Sequence, residues 1–351
     1  MGNVFLLDWI VIIGVCLLSV LVGITFSKSG SKDGAKSFFA GNQNLPWWAI
    51  GFSNTATYSS NGAAFIMLIL VSGLAYNWIW WGSWIIWMPL VAIIWAPMWR
   101  RMQIVTTAEL IELRYGGALA SLARKIYAIV CIVIAILVTA YITGFFTKAI
   151  APLLPWSELE VLLLFGGITL LYTTLGGLTS VVFVDVLQFV IMWVGTMVFM
   201  FFAIDQSGGL PNVIRVVTEI RPEGLTPFPP TESMPLILLA VIVFQGLFFA
   251  GSPTSGEGMT AQRFMAAKNE KHAIGGQLFN AFLALSFRTL PYIGLGLVAM
   301  NYFWSPELTN RLGDAPEGMI TLENPVHAWA ELVKVIKLPQ GFTGLLIAVE
   351  V

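Results

Sequence analysis

Apolar runs too long for the core of a globular domain recur along the whole chain: Val11 to Phe26, Ala128 to Thr147, Val181 to Ile204 and Leu236 to Ala250. Only 11% of residues are charged and 57% are hydrophobic, against roughly one-quarter charged in an average soluble domain. The solvent such a chain is built for is the lipid bilayer. Its first run, Val4 to Phe26, lacks the positive leader and small-residue cleavage pattern of a signal peptide and is followed by more spans, so it reads as a retained helix. Cutting at polar, Pro-rich and Gly-rich breaks predicts helices near 4–26, 46–73, 77–99, 120–150, 158–177, 179–204, 235–258 and 273–303, with a ninth starting near Phe342. Most hold the ~20 apolar residues that a span requires.

Charge placement orients these helices. Lys28, Lys32 and Lys36 follow the first, Arg100, Arg101 and Arg114 follow the third, and Arg263, Lys268 and Lys271 follow the seventh. The intervening loops at 74–76 and 151–157 carry no Lys or Arg, and in the connections 205–234 and 304–340 acidic residues outnumber basic ones. The positive-inside rule then places the N-terminus outside, the loops 27–45, 100–119 and 259–272 in the cytoplasm, and 205–234 and 304–340 outside. A net charge of −1 with no basic patch gives no footing for nucleic acid. Cys16 and Cys131 sit inside apolar helices and read as packed thiols, while His272 and His327 have no metal-ligand spacing.

Two spans are interrupted. The second has Ser53-Asn54-Thr55-Ala56-Thr57-Tyr58-Ser59-Ser60-Asn61-Gly62 at its centre, where the bilayer is driest. A continuous helix tolerates such residues if they hydrogen-bond to a neighbouring helix; a broken helix uses its freed carbonyls and hydroxyls to line a solute or ion site. The seventh ends in Gly251-Ser252-Pro253-Thr254-Ser255-Gly256-Glu257-Gly258, where proline and three glycines remove helix propensity, so it reads either as a second break or as a loop after a short helix. These two spans run in opposite directions and start five helices apart. That pattern predicts two five-helix repeats of inverted topology with a site at the midplane. A mid-membrane arginine, Arg288, adds a charge costing roughly 2.5–3.5 kcal/mol to insert. Either it pairs with Glu257 or Asp185, or it clamps a substrate carboxylate.

The stretch Tyr172-Thr173-Thr174-Leu175-Gly176-Gly177-Leu178-Thr179-Ser180-Val181-Val182-Phe183-Val184-Asp185-Val186-Leu187-Gln188 resembles the Gly-Gly-Leu turn and Asp-x-x-Gln helix of the sodium:solute symporter family. Supporting matches are Asn44-Leu45-Pro46-Trp47-Trp48-Ala49-Ile50-Gly51, Thr107-Ala108-Glu109-Leu110 with Arg114-Tyr115-Gly116, and Gln262-Arg263-Phe264-Met265-Ala266-Ala267-Lys268, all in family order. The resemblance implies an all-α integral membrane protein of the leucine-transporter type: a five-plus-five inverted-repeat bundle preceded by one extra N-terminal helix. Residues 1–40 then hold the extra helix and a cytoplasmic loop, 41–204 the first repeat, 205–234 an external loop, and 235–351 an incomplete second repeat. By the same resemblance sodium binds through the backbone carbonyls of Ala56 and Ser59, and Asp185 lies on the inner sodium path. A helix-capping or structural role for Asp185 is the alternative. The rest of the family's sodium site, a small residue and a Ser/Thr pair, belongs to the ninth helix beyond Val351, so the chain is expected to be a fragment.

Solute-contact candidates are Ser60, Asn61, Thr254, Glu257 and Arg288. Sugar-carrying members have polar groups, including a lysine, where Ala250 and Ala284 stand here, so the resemblance favours a carboxylate or amino-acid-like solute over sugar. The expected protein is a multi-pass, sodium-coupled symporter of the cell membrane, its partners being the solute, sodium and lipid. A solute sensor with the same fold is the competing class and needs a downstream signalling domain. A channel lacks a filter or charge ring, and an enzyme lacks a nucleophile–base pair. In a variant without Cys16 and Cys131, Glu219→Cys is expected to react with an impermeant thiol reagent applied outside and Lys268→Cys to be protected. The reverse result inverts the topology.

Overall fold

A computed structural model describes residues 4–30, 35–57, 62–227, 236, 240, 243–244 and 258–350. Four of its helices are long and apolar enough to cross a membrane: Leu6–Phe26, Gly117–Leu153, Gly176–Gln206 and Glu270–Tyr302. The expected second span is two helices, Trp47–Thr57 and Gly62–Ser72, bent by 53° across residues 58–61. This bend matches the interrupted reading of that span. The expected seventh span, 235–258, lies outside the described residues apart from isolated positions and Gly258.

Prolines shape two spans. In the third, Trp78–Leu90 passes through a π turn, Val91–Trp95, into Ala96–Met102. Pro97 has no N–H and its ring crowds the carbonyl of Ile93, and widening the turn relieves both. Glu270–Phe282 likewise passes through a π turn, Leu283–Phe287, into Thr289–Tyr302, ahead of Pro291. The long helix Glu158–Gln206 is two helices meeting at Gly177, where φ is 61° and ψ −168°. Essentially only glycine adopts that conformation, as expected of the Gly176-Gly177 turn.

The broken helix and the helix Glu270–Tyr302 run side by side along both halves, and glycines bring them together. A Cβ at Gly51 would lie 2.5 Å from Phe279 Cδ1, one at Gly276 2.7 Å from Ile50, and one at Gly296 2.7 Å from Ile69. Such small-residue contacts are how helices associate where lipid removes the hydrophobic drive. Apolar packing divides at the break. One cluster surrounds the second half of the broken helix, including Phe65, Ile66, Ile69, Tyr292 and Trp329, and another surrounds the first half, including Ile50, Trp87, Met88 and Phe264.

The connections gather at two ends. At one, Leu45 and Lys268 exchange backbone hydrogen bonds with their opposite strands (Leu45 N to Ala266 O 3.0 Å, Lys268 N to Leu45 O 2.9 Å), Arg100 Nε donates to Ala267 O at 2.5 Å, and Arg101 bridges Glu270 at 2.8 Å. At the other, Arg221 donates to the last carbonyls of Gly62–Ser72, Leu70 O at 2.6 Å and Val71 O at 2.5 Å, and Arg311 reaches the same Val71 carbonyl at 3.3 Å. Burial and the neighbouring Arg311 push the Arg221 guanidinium down to about 10. Three segments expected to be plain loops are partly ordered: 259–272 contains most of the helix Gly258–Met265, 205–234 contains Leu210–Ile220, and 304–340 contains Pro306–Leu312 and Ala328–Val335. Short amphipathic turns pack on the ends of the bundle but are too brief to stand out as spans. The helix Phe342–Glu350 begins where the ninth span was expected.

Gly177→Ala places a Cβ 2.8 Å from the Phe38 carbonyl oxygen in a left-handed conformation. A loss of about 1–3 kcal/mol is expected, read as a lowered unfolding temperature in detergent. Gly167→Ala, with nothing within 4 Å, is the near-neutral comparison.

Candidate functional site

Ala56 lies in the last turn of Trp47–Thr57, at the bend in the second span. Its side chain packs against the cluster of Phe189, Met192 and Leu283, and Leu345 of the helix Phe342–Glu350 packs against the same cluster. Three further elements therefore meet at one apolar cluster beside the bend. Ser59, Ser60, Asn61, Thr254 and Glu257 lie outside the described residues.

On the first half of the broken helix, Ser53 joins two charges. Arg263 Nε donates to Ser53 Oγ at 2.5 Å, Ser53 Oγ donates in a short bond to Asp185 Oδ2, and Arg263 Nη2 bridges the same oxygen at 3.0 Å. Arg263 also donates to Met259 O at 3.1 Å. All three side chains are largely buried, and each comes from a different element: Trp47–Thr57, the helix after Gly177, and Gly258–Met265. Asp185 thus pairs with Arg263 and not with Arg288. Arg263, one of the basic residues of the 259–272 connection, is turned inward to a buried carboxylate and does not lie among exposed loop charges. Its only sequence signal was its place in the Gln262-Arg263-Phe264 motif.

Facing the glycine contact is a neutral polar chain. Thr55 Oγ1 donates to Gly51 O at 2.8 Å and meets Asn280 Oδ1 at 2.9 Å, and Asn280 Nδ2 donates to Gln277 Oε1 at 3.2 Å. Asn54, beside Thr55, is buried. Gln277 and Asn280 were not among the sequence candidates, although two amides three residues apart on an otherwise apolar helix face one way and are a readable signal.

Arg288 follows the π turn directly, its N–H bonding to Leu283 O at 2.8 Å. Its side chain is 1% exposed. The guanidinium carbon lies 5.2 Å from the Phe65 ring centroid and 4.8 Å from that of Trp84, both negative π faces that stabilise a desolvated cation. Pro291 offers no N–H to the Phe287 carbonyl, and the indole of Trp193 donates to that oxygen instead, at 2.7 Å. The backbone beneath Arg288 is thereby held from a second helix. Tyr292, one turn on, fills the space that a side chain at Gly62 would need.

A largely helical membrane bundle, with a bent helix pair at its centre and buried charges on either side of the bend, is the construction by which secondary transporters form a midplane site. The chain belongs to the sodium:solute symporter family, whose sequence profile matches residues 38–351. Sodium/glucose cotransporter 4 of Mus musculus is 26% identical, over 97% of this chain and 52% of the relative. Sodium/myo-inositol cotransporter 2 of Homo sapiens is 27% identical, over 95% of this chain and 51% of the relative. The chain spans about half the length of the curated relatives it matches. Among solved structures, the substrate-bound outward-open state of a Na+-coupled sialic acid symporter superposes with a TM-score of 0.80 at 21% identity, covering 98% of this chain and 70% of that one, which establishes the shared fold.

Asp185→Ala strands the buried Arg263 guanidinium and is expected to cost about 3–5 kcal/mol. Arg263→Met in the same chain should return most of that loss. Unfolding temperatures in detergent give the double-mutant cycle, and additive losses would show the two side chains to be uncoupled.

Proposed function

We propose that this chain forms the core of a sodium-coupled symporter that carries a small organic solute across the cell membrane by alternating access. The observation that carries the reading is the broken helix. In this reading the backbone carbonyls of Ala56 and Ser59 hold the sodium, since oxygen ligands suit a hard cation and main-chain groups bring no buried charge. Asp185 lies below them on the cytoplasmic side in the expected orientation. Held by Arg263 and Ser53, it ties the helix after Gly177 to the first half of the broken helix, so release of an ion inward requires this pair to rearrange.

Arg288 supports a carboxylate or amino-acid-like solute. A guanidinium between aromatic faces in the span is a fork suited to a carboxylate, and Ser60, Asn61, Thr254 and Glu257 are the further solute contacts of this reading. A neutral polyol is the second reading, favoured by the relatives named for glucose and myo-inositol. The sialic acid symporter is named for an acidic sugar, which combines both chemistries.

Uptake by the full-length protein in proteoliposomes separates these readings, with pyruvate, proline, sialic acid, glucose and myo-inositol as probes. An inward sodium gradient is expected to drive accumulation of a carboxylate, and choline is expected to abolish it. Losing a charge-assisted pair worth about 1.5–3 kcal/mol, Arg288→Gln should raise the KM about 10- to 100-fold. Equal uptake in choline removes the coupling, whereas myo-inositol uptake that survives Arg288→Gln removes the carboxylate.

A further inference from the structure

The first turn of the N-terminal helix Leu6–Gly30 buries a carboxylate that the transport reading does not use. Asp8 is 1% exposed. Its Oδ2 accepts from Phe5 N at 2.8 Å, closing its own helix start, and its Oδ1 accepts from Gly344 N at 2.8 Å. Gly344 is the third residue of Phe342–Glu350, so this N–H is one that the first helical turn leaves without a partner, at the positive end of the helix dipole. The approach is backbone to backbone: a Cβ at Gly344 would overlap the Asp8 main chain, and one at Gly341, where φ is +89°, would lie 3.1 Å from Leu7 Cδ2. One residue beyond the capped N–H, Leu345 enters the cluster that holds Ala56.

We infer that Asp8 is a positioning residue for the cation site at the broken helix. It touches no ion. By capping Phe342–Glu350 at a fixed distance from Leu6–Gly30, it sets the depth and rotation of the helix whose Leu345 packs against the same apolar cluster as Ala56. The N-terminal helix is in turn anchored along the helix after Gly177, where Phe26 stacks on Phe183 at 4.1 Å and Ser180 Oγ donates to Gly23 O at 2.9 Å. Asp8 therefore references one wall of the cation site to another. The inference rests on the sodium reading above.

The test needs only sodium as ligand: unfolding temperature of the purified full-length protein against NaCl, with choline chloride holding ionic strength constant. Wild type should be stabilised by sodium with a saturable dependence. Asp8→Ala should raise the half-saturating concentration about 5- to 10-fold. Asp8→Asn, which keeps an acceptor for Gly344 N, should fall between the two, and Gly344→Ala, which displaces the helix without altering charge, should resemble Asp8→Ala. Leu6→Ala, at a position 78% exposed, should match wild type. If the Asp8 and Gly344 variants melt earlier yet keep the wild-type half-saturation, the contact is structural only and the inference falls. Should Asp8→Ala not fold, Asp8→Asn and Gly344→Ala decide by the same criterion. Wild type without a sodium-specific shift overturns the sodium reading itself, and this inference with it.

Discussion

In hydrocarbon a backbone N–H or C=O that loses its helical partner must find another or face a cavity. The interrupted second span concentrates that demand at one level of the bundle, and its neighbours are arranged around it. Glycines bring Glu270–Tyr302 flush against both halves, an amide chain meets Thr55, and Arg221 and Arg311 cover the carbonyls at the far end of Gly62–Ser72.

Charge follows the same economy. Arg263 and Asp185 neutralise each other through Ser53 rather than sitting singly in the protein interior, and Arg288 is housed by two aromatic faces. A buried pair of this kind contributes little net stability but is costly to break by halves. It therefore favours two discrete arrangements, paired or fully separated and rehydrated, over a continuum. A contact with that property suits an interface that must be either closed or open.

The spans were legible because their signal is local. An apolar run with polar punctuation sets the ends of Gly117–Ile150 and Glu270–Tyr302 within a few residues, and Gly176-Gly177 announces a turn whatever surrounds it. Partnership was less legible. Nothing near Arg263 in the chain points to Asp185, 78 residues earlier, and a short helix after a break looks like a charged loop. The π turn under Arg288 was hidden for a related reason. Pro291 signals a disturbed helix, but only the Trp193 indole, arriving from another span, shows how the freed carbonyl is satisfied.

The helix Gly117–Leu153 has no part of its apolar window buried, and its length carries a consequence for the surrounding lipid. No charge occurs between Lys125 and Lys148, a stretch of about 33 Å at 1.5 Å per residue. The hydrocarbon slab is about 30 Å thick, so the two lysines bracket it at modest tilt and reach the headgroups on either side. In a thinner bilayer this helix must lean further. Arg124, beside Lys125, is bonded to Glu112 of the short helix Glu109–Tyr115, so a change in lean is transmitted to that segment. Membrane thickness thereby becomes a mechanical input to this end of the bundle.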